Sequence, residues 1–355
     1  ITGRCGKTTL KELLGETLGK ISKVSISPKS YNNKYGVPLS LLNIRENDEF
    51  GVLEVGMDKK GEIDYLTRII KPEVSVITNI NFAHAKNFKN IKQIAMAKSE
   101  IIRNTKLGGF VVLNADDNFF NLHKRIAIKN NLRFISFGIR NKNSNVKFLG
   151  IKNKGKYFQL YIQVNRLKKY FLVSNNFHNN IYNILAALAI MSIYINIPQL
   201  SKKIFLKFKV PQGRGDLSKI RIFKKNINLV DESYNSNPLS LKSAILNYDK
   251  IISKKFKKYL LLGDMLELGK YSKKLHQSIA SIINKTNIDK VFIKGRNMKF
   301  MFEKLSDSKK GRVLFNKSQI IDLIRNDLNN NDNLMVKASN ATGFNKIIKE
   351  IKGVN

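Results

Sequence analysis

The chain has 355 residues, enough for two domains with sizeable cores, and its only cysteine, Cys5, excludes a disulfide framework and a cysteine-rich zinc site. No stretch approaches the ~20 apolar residues of a membrane span. The formal charge is +38, but the lysines run through the whole chain beside abundant Asn and Ile; this matches compositional drift toward AT-rich codons, so a cytosolic protein that attracts anionic small molecules, with no specific nucleic acid, is expected.

The first element is a loop. Ile1-Thr2-Gly3-Arg4-Cys5-Gly6-Lys7-Thr8-Thr9 has the make-up of a phosphate-binding turn. Two glycines let successive N–H groups point at one oxyanion, Lys7 adds a charge, and Thr8 offers a hydroxyl to Mg²⁺. The helix starting near Thr9 presents its positive end. The usual pattern has a further glycine where Ile1 stands, so this is a shortened variant. Such a loop leaves the end of a buried strand, of which only Ile1 and Thr2 are present, and no initiator Met precedes them. The expectation is a fragment that lacks its N-terminal part.

Apolar runs then alternate with helical patterns, which predicts a mostly parallel α/β sheet. Strands are expected at Phe50–Val55, Val74–Thr78 and Phe110–Asn114. Alternation between Val146 and Val173 predicts a small antiparallel insertion, and a helix is expected at about Asn179–Ile195. Val210-Pro211-Gln212-Gly213-Arg214-Gly215 reads as a hinge. It divides the chain into domains at 1–212 and 213–355. Beyond it a second α/β pattern begins, with strands at Asn228–Asp231, Tyr259–Leu262, Val291–Ile293 and Leu334–Val336.

In open parallel sheets, ligands bind beyond the carboxyl ends of the strands. There stand the Gly3–Thr8 loop, Glu54, and Thr78-Asn79 with His84 just beyond. A carboxylate and an imidazole facing a phosphate loop suit Mg²⁺; a structural ion pair for Glu54 and a turn cap for His84 explain them equally well. Lys98 completes the apolar stripe of a helix predicted over Ile91–Ile102. A lysine facing inward must be paired or chemically altered, unless its stem carries the charge out to water. Asn180 and Asn183 share one face at a helix start, where they can meet a base edge or simply cap the helix. In the second half, Val230–Pro238 and Gly263–Gly269 each leave a strand in a polar turn, with Pro238 placed to begin a helix.

Taken together these residues resemble the Mur ligases, ATP-dependent amide ligases that build the peptidoglycan peptide. The loop Thr2-Gly3-x-x-Gly6-Lys7-Thr8-Thr9 is similar to the opening of their ATP-binding domain. Several stretches look like the member that joins D-alanyl-D-alanine to UDP-N-acetylmuramoyl-tripeptide. They are Tyr31–Pro38, Glu54–Met57 with Gly61–Ile63, Asn79-Ile80 leading to Ala83-His84, Ala97–Ile101, Asp231–Pro238 and Gly263–Gly269. The resemblance implies a P-loop ATPase domain followed by a Rossmann-like α/β domain, acting as a monomer on these small substrates.

It also implies roles. Gly3, Gly6, Lys7, Thr8 and Thr9 bind the ATP phosphates, with Lys7 catalytic and Thr8 on Mg²⁺. Glu54 and His84 serve a second Mg²⁺, and Lys98, carbamylated, becomes a further metal ligand. Asn180 and Asn183 lie against adenine, and Arg214 and the acid in the Asp231-Glu232 pair reach the nucleotide. Three features depart from the family. Its His-Asn aligns with Asn179-Asn180, leaving His178 as the only substitute for the histidine. Glu232 stands where aspartate is usual. The N-terminal domain that holds the UDP-sugar is missing. Folylpolyglutamate synthetase shares the fold and loop, but Tyr31–Pro38 and Ser233–Pro238 speak against it. A nucleotide-gated binding protein is the rival from another class.

Overall fold

Apolar runs long enough to be buried on both faces of a sheet demand helices on both sides, and each half of the chain meets that demand separately. The computed structural model describes residues 1–82, 87–175, 177, 180–251 and 255–353. It divides into two units, Ile1–Lys209 and Val210–Asn355.

The first unit runs α1 (Lys7–Leu18), β1 (Val24–Ile26), α2 (Gly36–Leu42), β2 (Phe50–Val52), α3 (Glu62–Ile70), β3 (Val74–Ile77), α4 (Ile91–Lys98), α5 (Glu100–Arg103), β4 (Phe110–Asn114), α6 (Phe120–Lys129), β5 (Arg133–Gly138), β6 (Val146–Asn153), β7 (Tyr157–Val164), β8 (Leu167–Ser174) and α7 (Ile181–Tyr194). Its main sheet has the order β3-β4-β5-β6-β7-β8, parallel up to β6 and antiparallel beyond. The alternating segment therefore extends the parallel sheet. Strands β1 and β2 form a separate parallel pair.

Ile1 and Thr2 lie between the two sheets. Thr2 N–H donates to Val76 O at 2.8 Å, Thr78 N–H donates to Thr2 O at 3.0 Å, and Val55 N–H donates to Ile1 O at 2.8 Å. The loop that follows is thus launched from the carboxyl end of the sheet. Two expected elements are shorter than their patterns: the strand begun at Phe50 stops at Val52, and the helix read over Ile91–Ile102 breaks at Ser99. There the Ser99 hydroxyl donates back to Met96 O at 2.6 Å, a local alternative to helix continuation.

The second unit contains β9 (Asp216–Ile222), β10 (Lys225–Glu232), α8 (Pro238–Ile251), β11 (Lys258–Gly263), α9 (Ser272–Ile283), β12 (Lys290–Lys294), α10 (Met298–Phe302), β13 (Lys310–Val313), α11 (Lys317–Asp322), β14 (Asn333–Lys337) and α12 (Phe344–Gly353). The strand order is β13-β12-β11-β14-β10-β9, parallel except for the β9–β10 hairpin. Every residue of β11 is buried. Leu261 packs into one core with Leu229, Val336 and Phe344, while Leu260 and Leu262 pack into another with Ile279 and Met335. That is the Rossmann-like arrangement, with apolar side chains on both sheet faces. Among the described residues no helix is long and apolar enough to cross a membrane.

Candidate active site

The phosphate loop depends on its two glycines for different reasons. Gly3 has φ 138°, and a Cβ there would stand 2.0 Å from Thr78 Oγ1. Gly6, the residue before α1, has φ 84°, and its Cβ would stand 2.6 Å from Asn183 Oδ1. Side chains are excluded at both by backbone conformation and by crowding. The end of β3 buttons the loop down. The Thr78 hydroxyl donates to Cys5 O at 2.7 Å, Asn79 Oδ1 accepts from Cys5 N–H at 3.0 Å, and Arg4 N–H donates to Asn79 O at 3.0 Å.

Within the first turn of α1 the loop meets Glu54. The Thr8 hydroxyl donates to Glu54 Oε2 at 2.6 Å, and Lys7 Nζ lies 3.8 Å from Glu54 Oε1 while donating to Gly3 O at 3.0 Å. Thr9 is buried beside it. Glu54 itself is only 2% exposed. A third partner was missed by the sequence reading: Asn32 Nδ2 donates to Glu54 Oε1 at 2.8 Å. Asn32 belongs to the Tyr31–Pro38 stretch, so its presence was noticed but its contact was not.

The loop carrying Asn32 is anchored by Lys11. Its side chain is wholly buried, and Nζ donates to Ser27 O and, at 2.6 Å, to Lys29 O. Glu12 lies 2.9 Å from the same ammonium. A lysine on a helix ordinarily reads as solvated, so this clamp has no local signature in the sequence.

Lys98 ends α4 and is 3% exposed, with no hydrogen bond or ion pair among the described residues. Burial above all, then the charges of Lys7 and Arg4, hold its amine well below the ordinary lysine value, against the opposite pull of Cys5 and Glu54. A shift in this direction favours the neutral, nucleophilic form of the amine. His84, His178 and Asn179 lie outside the described residues. No cluster of three or more His, Cys, Asp or Glu side chains poised for a metal occurs among the described residues. The donors that do meet here, the Thr8 hydroxyl and the Glu54 carboxylate, are hard oxygens. They suit Mg²⁺, which takes one or two protein ligands and completes its shell with water and phosphate.

Asn180 and Asn183 come together at the start of α7, with Asn183 Nδ2 donating to Asn180 Oδ1 at 3.2 Å. Asn180 precedes the helix, yet its side chain makes no capping bond. The ordinary capping explanation therefore does not account for it, and Asn183 lies directly against the phosphate loop through Gly6.

In the second unit the acidic pair divides its work. Asp231 is 2% exposed and fully engaged: Oδ1 accepts from Ser233 N–H at 3.0 Å and from its hydroxyl at 2.6 Å, and Oδ2 accepts from Lys352 at 2.8 Å. Lys352 also donates to Asp216 at 2.8 Å. Glu232 accepts from the buried Lys337 at 3.0 Å, and its side chain remains 24% exposed. The Arg214 guanidinium lies 4.2 Å from the centre of the Tyr234 ring.

Family models match both halves of the chain: the Mur ligase middle domain over residues 1–191, and the Mur ligase, glutamate ligase domain over residues 219–340. The chain belongs to the Mur ligase family. Within it, the chain is 32% identical to a UDP-N-acetylmuramoyl-tripeptide–D-alanyl-D-alanine ligase of Buchnera aphidicola subsp. Acyrthosiphon pisum, over 99% of this chain and 75% of that protein. It is 29% identical to the enzyme of the same name from Bacillus subtilis, again over 99% of this chain and 75% of the relative. Two solved structures share the fold. MurF from Acinetobacter baumannii has a TM-score of 0.85 at 24% identity, covering 99% of this chain and 75% of that one. MurF ligase from Thermotoga maritima in complex with ADP has a TM-score of 0.83 at 24% identity, covering 99% and 78%.

Proposed function

We propose that this protein joins D-alanyl-D-alanine to UDP-N-acetylmuramoyl-tripeptide with hydrolysis of ATP, in peptidoglycan precursor synthesis. The observation that carries the reading is the meeting of Lys7, Thr8 and Glu54 at a glycine-bent phosphate loop, in a chain whose relatives bear that enzyme's name along 99% of its length.

In this reading the loop amides and Lys7 hold the ATP phosphates, and Lys7 stabilises the charge that develops on the transferring phosphoryl group. The terminal carboxylate of the tripeptide attacks the γ-phosphorus and ADP leaves, giving an acyl phosphate. The amine of D-alanyl-D-alanine then attacks the acyl carbon, loses a proton, and expels phosphate. Asn32 and Thr8 orient the Glu54 carboxylate between them. Thr8, Glu54 and Lys98 are the described residues that would hold Mg²⁺, with His84 added on the family pattern. Mg²⁺ supplies neutralisation of charge on the phosphate oxygens when it is bound. Lys98 takes part as a carbamate: its neutral Nζ bonds to the carbon of CO₂ and releases a proton, leaving a carboxylate-like group in place of a buried amine. Asn180 and Asn183 face the adenine. For the second unit we adopt Arg214 and, of the two acids, Glu232 as nucleotide contacts, since Asp231 has both oxygens occupied. A supply of ATP and a nucleotide-linked sugar makes the cytoplasm the place of action, and a monomer suffices.

The test is ADP release with nucleotide-peptides and dipeptides varied in turn. Release should require UDP-N-acetylmuramoyl-tripeptide and D-alanyl-D-alanine together. Turnover with a folate and glutamate, and none with D-alanyl-D-alanine, would overturn the reading.

A further inference from the structure

The lysines are spread along the whole chain, but the acids are not. Between Asp117 and Asp216 there is no Asp or Glu, against thirteen lysines and five arginines. That stretch builds β5 to β8 and α7. In β7, Leu160, Ile162 and Val164 are buried, while Gln159, Tyr161 and Gln163 between them are half-buried. One face of the β6–β7–β8 sheet therefore packs inward and the other meets water. The register sets Lys152 opposite Gln159, and Lys168 opposite Gln163, on the watery face. Lys154 and Lys156 are exposed on the β6–β7 turn, and Arg166 on the β7–β8 turn.

A basic face is ordinarily just solvated. This one has no carboxylate of its own stretch to balance it. We propose that the outer face of β6–β7–β8, with its two turns, is a peripheral docking surface for an anionic phospholipid bilayer. Lysines on flexible stems give a diffuse attraction to a negative surface, and their apolar stems can lie along the headgroup boundary.

Charge alone would fit a single-stranded nucleic acid equally well, but the aromatic residues argue against it. Base stacking needs a free ring face. Tyr161 and Tyr170 pack on each other with centroids 6.0 Å apart. Lys152 Nζ lies 5.5 Å from the Tyr161 ring centre, and Lys202 Nζ 4.4 Å from that of Tyr170. The excess of lysine over arginine points the same way, because arginine is the residue suited to bidentate recognition of phosphates and base edges.

The test is co-sedimentation of the full chain with vesicles of phosphatidylcholine alone and with vesicles containing roughly one quarter phosphatidylglycerol. Binding should require the anionic lipid and weaken with salt. The combined variant Lys152→Glu, Lys156→Glu, Lys168→Glu should lower partitioning on the order of a hundredfold or more. The control Lys242→Glu, Lys274→Glu, Lys285→Glu makes the same charge change on exposed positions of the second unit, and should lower it by less than about threefold. Thermal unfolding of both variants should match the parent. If the glutamate variant misfolds, the corresponding glutamine variant serves, with an intermediate loss expected. Equal losses in the two sets would show that net charge alone drives adsorption, and would overturn the proposal. So would binding to phosphatidylcholine alone, unchanged binding of the glutamine variant, or displacement of the protein from vesicles by single-stranded homopolymer RNA.

Discussion

The Thr8 hydroxyl and the Glu54 carboxylate are joined by a 2.6 Å hydrogen bond, and Glu54 is 2% exposed. A buried carboxylate is costly to keep unless it is paired and hydrogen-bonded. Here Asn32 satisfies one oxygen, Thr8 the other, and Lys7 stands 3.8 Å away. The arrangement holds a negative charge beside a loop made for phosphates, and a cation between the two resolves the conflict. Glu54→Gln retains an acceptor for Thr8 but removes the charge. It should lower ADP release by about 10²–10³ and raise the Mg²⁺ concentration needed for half-maximal rate, with the melting temperature little changed. An unaltered Mg²⁺ requirement would detach Glu54 from the metal.

Lys7→Ala should abolish ATP turnover with little change in fold. The side chain donates to Gly3 O and makes a long contact with Glu54, while its backbone place in the loop survives truncation. Losing one such electrostatic donor costs about 10²–10³ in rate. Turnover within a few-fold of the parent would remove the phosphate-loop assignment.

Lys98 gives a prediction with two readouts. Unfolded, it keeps its proton up to about pH 10.5; folded, it releases the proton well below that value because of burial. Between the two values the unfolded chain binds more protons, so this group's contribution makes stability rise with pH. In CO₂-free buffer, Lys98→Met should therefore melt higher than the parent at neutral pH, and the gain should shrink as pH approaches 10.5. Lys98→Ala should be nearly inactive and partly restored by short-chain carboxylic acids, which mimic the carbamate. A fully active alanine variant, or a parent more stable than the methionine variant, would contradict the assignment.

Much of this site was legible beforehand because each feature had a local signature. Gly3, Gly6, Lys7 and Thr8 stand in one short loop, and Lys98 declared itself by filling an apolar stripe. The strands at Val74, Phe110, Tyr259 and Val291 were plain apolar runs. Strand β5 went unread because Arg133-Phe134-Ile135-Ser136-Phe137 follows neither a clean alternation nor an unbroken apolar run, and β1 has only three residues. Asn32, Thr78 and Asn79 act through contacts with residues 22 to 74 positions away, which no local pattern reports. The missing acids between Asp117 and Asp216 were visible from the start, but an absence is harder to notice than a run of lysines.

The acidic pair on β10 should separate by readout. Asp231 holds Ser233 and Lys352, so Asp231→Ala leaves a lysine with one partner fewer and a turn without its acceptor. It should destabilise the second unit by about 1–3 kcal/mol, measured by calorimetry. Glu232→Ala, at a half-exposed position, should cost less stability and raise the KM for ATP more. The reverse pattern would make Asp231 the nucleotide contact.

His276 sets a pH dependence in the second unit. It is wholly buried; its Nδ1–H donates to Ser272 O at 2.8 Å, and its Nε2 accepts from Met265 N–H at 3.1 Å. Only the neutral ring can do both, since a protonated Nε2 would face the amide with a hydrogen. Burial lowers its pKa from the ordinary 6.5, outweighing the Ser272 carbonyl and Asp264, which act to raise it. The unfolded chain therefore takes up a proton at a higher pH than the folded one. The contribution is fully present above pH 6.5 and is lost progressively as pH falls toward the folded value. The slope is about 1.4 kcal/mol for each pH unit in that window. His276→Gln keeps an acceptor for the Met265 amide but cannot titrate. It should be less stable than the parent at pH 7.5 by about 1–2 kcal/mol, because Gln does not reproduce both bonds or the ring's packing. Below pH 6.5 the deficit should narrow, and the two proteins should converge. A constant gap between parent and variant across the acid range would show that His276 does not titrate on unfolding, and that its role is packing alone.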